Sequence, residues 1–171
     1  MTEVTDVSLD RYSMLEDDRS VEGRSFTAPL VPERPAQTLL FGDRLRNGLI
    51  SADITIIESQ SRRRTQELAM EATLVVRYNG PDSFLYAGTG GFGSKFFIGK
   101  VVPGPFWNVR AWVGQPSSVH IGKTYQLRVE FSGSQITLYE HDVQQLTVVD
   151  ESYQIGQCGL NAWATSAWHL G

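Results

Sequence analysis

Lys123-Thr-Tyr-Gln-Leu-Arg-Val-Glu-Phe-Ser-Gly-Ser-Gln-Ile-Thr-Leu-Tyr139 reads as two strands around a tight turn. Side chains alternate between the two faces of a strand, so Tyr125, Leu127, Val129 and Phe131 share one apolar face, and Ile136 and Leu138 share it across the turn Ser132-Gly-Ser134. A further strand and the glycine-flanked Cys158-Gly-Leu-Asn-Ala-Trp163 complete this region. One face of the resulting sheet must be core.

Working outward, the same alternation recurs. Ile50, Ala52, Ile54 and Ile56 alternate with Ser51, Asp53 and Thr55, and Leu68, Met70, Ala72, Leu74, Val76 and Tyr78 alternate with Glu67, Glu71, Thr73 and Arg77. Short strands are also expected over Thr38–Phe41, Ser83–Ala87, Lys95–Val102 and Phe106–Val113. Asn79-Gly-Pro-Asp82 is a turn signal. The total is roughly ten strands with turns at intervals of about 8–12 residues, the pattern of an antiparallel sandwich. No helical period is present after residue 25, and neither an internal repeat nor a low-complexity segment is found.

The chain of 171 residues is 41% hydrophobic, enough for one well-buried domain. Its net charge of -4 is uneven: residues 1–24 hold seven acids against Arg11, Arg19 and Arg24, leaving twelve acids and twelve bases in residues 25–171. The domain organisation predicted is a flexible acidic tail or linker over 1–24, with weak helical spacing of Val7, Leu9, Tyr12 and Leu15, and a β-sandwich over 25–171. Pro29, Pro32 and Pro35 enforce an extended path between them. A neutral folded part has no field to steer nucleic acid, and no apolar run approaches the roughly 20 residues of a membrane span, so neither partner is expected. The lone Cys158 and the acidic opening are those expected of an intracellular, cytoplasmic chain.

Asp43-Arg-Leu-Arg-Asn-Gly-Leu-Ile-Ser-Ala-Asp53, Ala72-Thr-Leu-Val-Val-Arg-Tyr78, Phe84-Leu-Tyr86 and, above all, Gly122–Phe131 through Gly156–Trp163 resemble concanavalin A-like lectin/glucanase domains in their laminin G-like form. The resemblance covers roughly residues 38–165. It implies an all-β jelly roll, an antiparallel two-sheet sandwich with one concave sheet, whose relatives bind glycans or proteins and sometimes hydrolyse polysaccharides. Scaffold motifs of this kind specify fold far better than function. Domains of that family usually close on a strand with an aromatic-Asp-Asn type ending, whereas this sequence stops at Trp168-His-Leu-Gly171, so the expectation is either an abbreviated strand or a piece of a longer protein.

Candidate chemistry is sparse. A retaining glycanase needs two carboxyl groups about 5 Å apart, yet Glu140-His-Asp-Val-Gln-Gln145 offers Gln144 and Gln145 where the second acid would fall. A hairpin turn is the simpler reading. Gly88-Thr-Gly-Gly-Phe-Gly93 satisfies the spelling of a dinucleotide loop but runs into the strand-like Ser94–Ile98 instead of a helix, so it is expected as a loop. Arg62-Arg-Arg64 is expected at a solvated loop tip, and His120, His141 and His169 stand apart, without metal-ligand spacing. No cofactor and no metal are expected.

The aromatic residues are the better lead, because rings with a polar tip suit sites that grip sugars. Core packing is nevertheless the default for any one of them. If Leu74 and Val76 face the core, parity turns Arg77 to the opposite face; if Ile136 and Leu138 do, it turns Tyr139 outward. The expectation is therefore a non-catalytic module recognising carbohydrate on a concave sheet face through Arg77, Tyr86, Trp107, Tyr139 and Asn161. The alternatives are a protein-interaction or oligomerisation module of a larger protein, in which the partner is another polypeptide, and a hydrolase whose acid pair is not evident.

Overall fold

The computed structural model describes residues 6–16, 19–23, 26–29, 36–56, 71–90, 95–104, 108–114, 120 and 122–163. Two antiparallel sheets make a β-sandwich, an arrangement that fits a jelly roll. In chain order the strands are β1 (Asp6–Glu16), β2 (Arg19–Gly23), β3 (Phe26–Pro29), β4 (Ala36–Leu45), β5 (Gly48–Ile56), β6 (Glu71–Gly80) and β7 (Ser83–Gly90). β8 (Phe96–Val102), β9 (Asn108–Val113), β10 (Thr124–Ser132), β11 (Gln135–Glu140), β12 (Val143–Val149) and β13 (Gly156–Trp163) follow. The seven-stranded sheet runs β12-β11-β10-β5-β1-β2, with β3 also paired to β1; the six-stranded sheet runs β4-β13-β6-β7-β8-β9.

Alternation along these strands builds the core. Ile50, Ala52 and Ile54 on β5, Tyr125, Leu127, Val129 and Phe131 on β10, and Ile136 and Leu138 on β11 meet Leu74, Val76, Leu85, Ala87, Ile98 and Leu160 from the other sheet. Fully burying each large side chain contributes roughly 1.5–3 kcal/mol. The six-stranded sheet has a second apolar cluster on its outer face, where Val75, Phe84, Tyr86, Phe97 and Val101 are also buried. Its strands are thus covered on both sides, while the seven-stranded sheet keeps the hydrophobic-in, polar-out pattern.

The acidic stretch 1–24, expected as a tail or linker, carries β1 and β2, and β3 follows it. The register sets Val7 and Leu9 opposite Ile56 and Ile54, and Tyr12 and Met14 opposite Ala52 and Ile50, with a shift between Leu9 and Arg11. One extra residue in β1 breaks the period of two, which is why its apolar positions imitate a helical spacing. Similarly, β4 does not stop at Gly42-Asp43: Gly42 takes a φ of 72°, and the pairing with β13 shifts there and resumes at Leu45.

The two turns on either side of β11 have identifiable chemistry. Between β10 and β11, Gly133 holds a φ of 56° at the first central position, the place where a type II′ turn demands glycine. Between β11 and β12, His141 and Asp142 have φ values of 48° and 61°, the left-handed pair of a type I′ turn. The turn expected over Glu140 to Gln145 is thus confined to His141 and Asp142, and Val143 to Gln145 begin β12.

Candidate functional site

Among the described residues, Arg77, Tyr86, Tyr139 and Asn161 do not converge on one face. Arg77 is fully buried and lies between the sheets. Leu74 and Val76 do face the core, but the β6–β7 register shifts after Val76, and Arg77 itself takes a φ of 53°. This bulge reverses the parity: Arg77 turns inward to 5.6 Å from the Phe131 ring, and Tyr78 joins the outer cluster instead.

Arg77 is a brace for one end of the sandwich. Its Nη1 donates to Tyr153 O (3.0 Å), and its Nη2 donates to Arg46 O (3.0 Å) and Gly133 O, tying three separate connections to β6. Burial, and then the neighbouring Arg46 charge, lower its pKa, with Asp150 and Cys158 opposing the shift. Chain approach here is very close. A Cβ on Gly156 would lie 2.3 Å from the Arg77 carbonyl carbon, so only glycine fits. Asn79 extends the brace, donating to Arg77 O (3.0 Å) and Ile155 O (2.9 Å).

Lys100 and Asp150 form a buried ion pair at the same end. The ammonium also donates to Ser152 Oγ (2.8 Å) and sits 5.7 Å from the Trp112 ring. Burial alone would raise the Asp150 pKa; hydrogen bonds from Lys100 and Ser152, with the Lys100 charge, outweigh it and leave the carboxyl below its usual range.

Tyr86 and Asn161 lie on the outer face of the six-stranded sheet, at 3% and 5% exposure. Tyr86 packs edge-on to Phe97 (5.4 Å) and covers Gly99, where an added Cβ would come within 2.6 Å of the ring. Asn161 Oδ1 accepts from Thr38 (2.8 Å). Tyr139 is half-buried on the outer face of the seven-stranded sheet, the far side of the molecule from Tyr86 and Asn161. Trp107 lies outside the described residues, as do Arg62 to Arg64, His169 and positions 91–93 of the glycine-rich loop.

The seven-stranded sheet's outer face is the open one. Register aligns Ser51, Arg128, Tyr139 and Gln144 in one row across four strands, flanked by Asp53 beside Gln126 and by Glu130 beside Thr137. These side chains are exposed or half-buried except Thr137, which bonds Thr147 at 2.9 Å. Arg128 is the organiser: its guanidinium carbon lies 4.4 Å from the Tyr139 ring centre, and its Nη1 pairs with Asp142. Its Nε is 3.1 Å from Glu130 Oε1, yet misaligned, so this buried donor makes no hydrogen bond. Arg128, Gln126 and Glu130 escaped the sequence reading although the signal was present, because they hold the parity opposite to Tyr125, Leu127, Val129 and Phe131.

The pair Glu140 and Asp142 is not arranged for hydrolysis. Glu140 ends β11 and Asp142 lies in the turn itself, so they do not alternate on one strand, and their charges face His141 (3.9 Å) and Arg128 respectively. Among the described residues no three His, Cys, Asp or Glu side chains gather as metal ligands would.

No family model matches the chain, and no curated protein does. Among solved structures it is similar to the carbohydrate-binding module CBM66 of Bacillus subtilis. The TM-score is 0.61 with 20% identical residues, over 76% of this chain and 75% of that one. At that identity the likeness is one of fold.

Proposed function

We propose that this domain is a non-catalytic carbohydrate-recognition module whose glycan lies on the outer face of the seven-stranded sheet, over Arg128 and Tyr139. The observation that carries this reading is the held Arg128 side chain: a guanidinium clamped on an aromatic ring and flanked by two carboxylates on an open sheet face. A planar fork fixed in this way loses little freedom on binding and donates to neighbouring hydroxyls at low entropic cost. Gln126, Asp53 and Glu130 around it supply the donors and acceptors that a sugar's hydroxyls require. The fold likeness to a carbohydrate-binding module supports the same class of ligand.

Tyr86 and Asn161 then belong to the packing of the opposite face, and Arg77 to the brace. Calorimetric titration with a panel of soluble oligosaccharides tests the proposal. Arg128→Ala and Tyr139→Ala should each weaken binding about tenfold or more, roughly 1.4 kcal/mol, with little change in thermal stability. A domain silent to every neutral, acidic and amino-sugar oligomer would overturn it.

A further inference from the structure

The outer face of the seven-stranded sheet is short of cations. Arg128 is the one basic residue of β5, β10, β11 and β12, and it is already balanced: Asp142 pairs with its Nη1, and Glu130 Oε1 lies 3.1 Å from its Nε. Register adds a third carboxylate. Arg128 is opposite Ser51 and Gln126 opposite Asp53, so Asp53 is the diagonal neighbour of Arg128, about 7 Å away between Cβ atoms. Resting on the carbohydrate reading above, we infer that this face selects against acidic sugars: its ligand meets Arg128 with uncharged hydroxyls, and Asp53, Glu130 and Asp142 exclude uronates and sulfated glycans.

The remaining strands of the sheet do not reverse this balance. Register sets Arg11 of β1 opposite Asp53, and Glu22 of β2 opposite Ser13, hence in the row of Ser51 and Arg128. Asp6 has the parity of Ser8, which is opposite Thr55. These positions add one cation and two acids, so acids still outnumber cations. Other cations near the rim are engaged elsewhere. Lys123, just before β10, has its ammonium 5.2 Å from the ring of the buried Tyr125, and His141 lies 3.9 Å from Glu140.

An incoming carboxylate or sulfate has two ways to reach Arg128, and both are unfavourable. Beside Asp142 and Glu130 it is a third anion on one guanidinium. If it displaces Asp142, which sits exposed in its turn, one ion pair replaces another while Glu130 and Asp53 still repel the newcomer. Hydroxyls meet no such opposition. The guanidinium donates to hydroxyl oxygens and the carboxylates accept from hydroxyl hydrogens, in charge-assisted bonds roughly twice as strong as neutral ones. The carboxylates thus serve the right ligand and penalise the wrong one.

Matched ligands test this selectivity by calorimetric titration of the full chain: gluco-, manno-, galacto- and N-acetylglucosamine oligomers, each against the same oligomer with its C6 hydroxyls oxidised to carboxylates. Wherever either member binds, the neutral one should bind at least about tenfold tighter at about 0.01 M salt, where the Debye length is about 30 Å. At about 1 M salt, where that length is about 3 Å, the ratio should shrink toward unity. In the double variant Glu130→Gln/Asp142→Asn the low-salt ratio should fall to about threefold or less. Because the ratio compares two ligands on one protein, a general loss of affinity cancels. Equal or tighter binding of the acidic members by the wild type, or a ratio unmoved by the double substitution, would overturn the selectivity and leave carbohydrate recognition standing. Silence toward both members of every pair would overturn the two together.

Discussion

Arg77→Met tests the brace most severely, because methionine retains much of the side chain's length while removing every donor. The wild-type guanidinium serves the carbonyls of Arg46, Gly133 and Tyr153, which lie in connections between strands and outside the sheet ladders. A hydrogen bond from a charged donor is worth roughly 1.5–3 kcal/mol, and three would give roughly 4.5–9 kcal/mol if nothing replaced them. The connections lie at the end of the sandwich, with Gly133 and Arg46 exposed, so water can reach part of what is vacated. The expected loss is therefore about 3–5 kcal/mol, a large fraction of the 5–15 kcal/mol of an ordinary domain. In a chain of this size it corresponds to a fall in Tm of about 6–20 °C. Urea unfolding followed by tryptophan fluorescence measures it directly, with the slope expected to stay constant. Arg77→Lys keeps the charge, but an ammonium cannot span three connections, so it should fall between the two. If Arg77→Met loses less than about 1 kcal/mol, the brace does not hold the sandwich end as described.

Two further outcomes follow from the same geometry. Folded Asp150 titrates below its unfolded value, so its contribution is complete above the ordinary carboxylate range and is lost as pH falls through the folded value. Asp150→Asn should cost about 3–5 kcal/mol at pH 7, where it strands buried Lys100, and the gap to wild type should close below about pH 4; a pH-independent gap in urea midpoints would contradict this. At the β11–β12 turn, His141 holds a left-handed conformation that asparagine adopts more readily, so His141→Asn should stabilise by about 0.5–1 kcal/mol, read as a raised Tm.

Much of the architecture was legible because period-two alternation is a local property. The faces of β5, β10 and β11 follow directly from it, as does the turn at His141 and Asp142. Two kinds of information were not local. Bulges move parity by one residue without changing composition: one turned Arg77 inward, and another disguised β1 as something other than a strand. Alternation also says which residues of a strand share a face, but not which sheet the strand joins. Tyr86, Asn161 and Tyr139 all have outward parity, yet they divide between two sheets whose outer faces point apart. Arg128 was the accessible partner of Tyr139, and only the β10–β11 register, which sets those two residues opposite each other, identifies it.

The central claim is that the outer face of the seven-stranded sheet is the ligand face, and backbone amide shift mapping during an oligosaccharide titration tests it most directly. Shifts should concentrate at Ser51, Asp53, Gln126, Arg128, Glu130 and Tyr139, with Thr73, Tyr86 and Asn161 still. Shifts confined to Thr73, Tyr86 and Asn161, or none with any oligosaccharide at millimolar concentration, would contradict it.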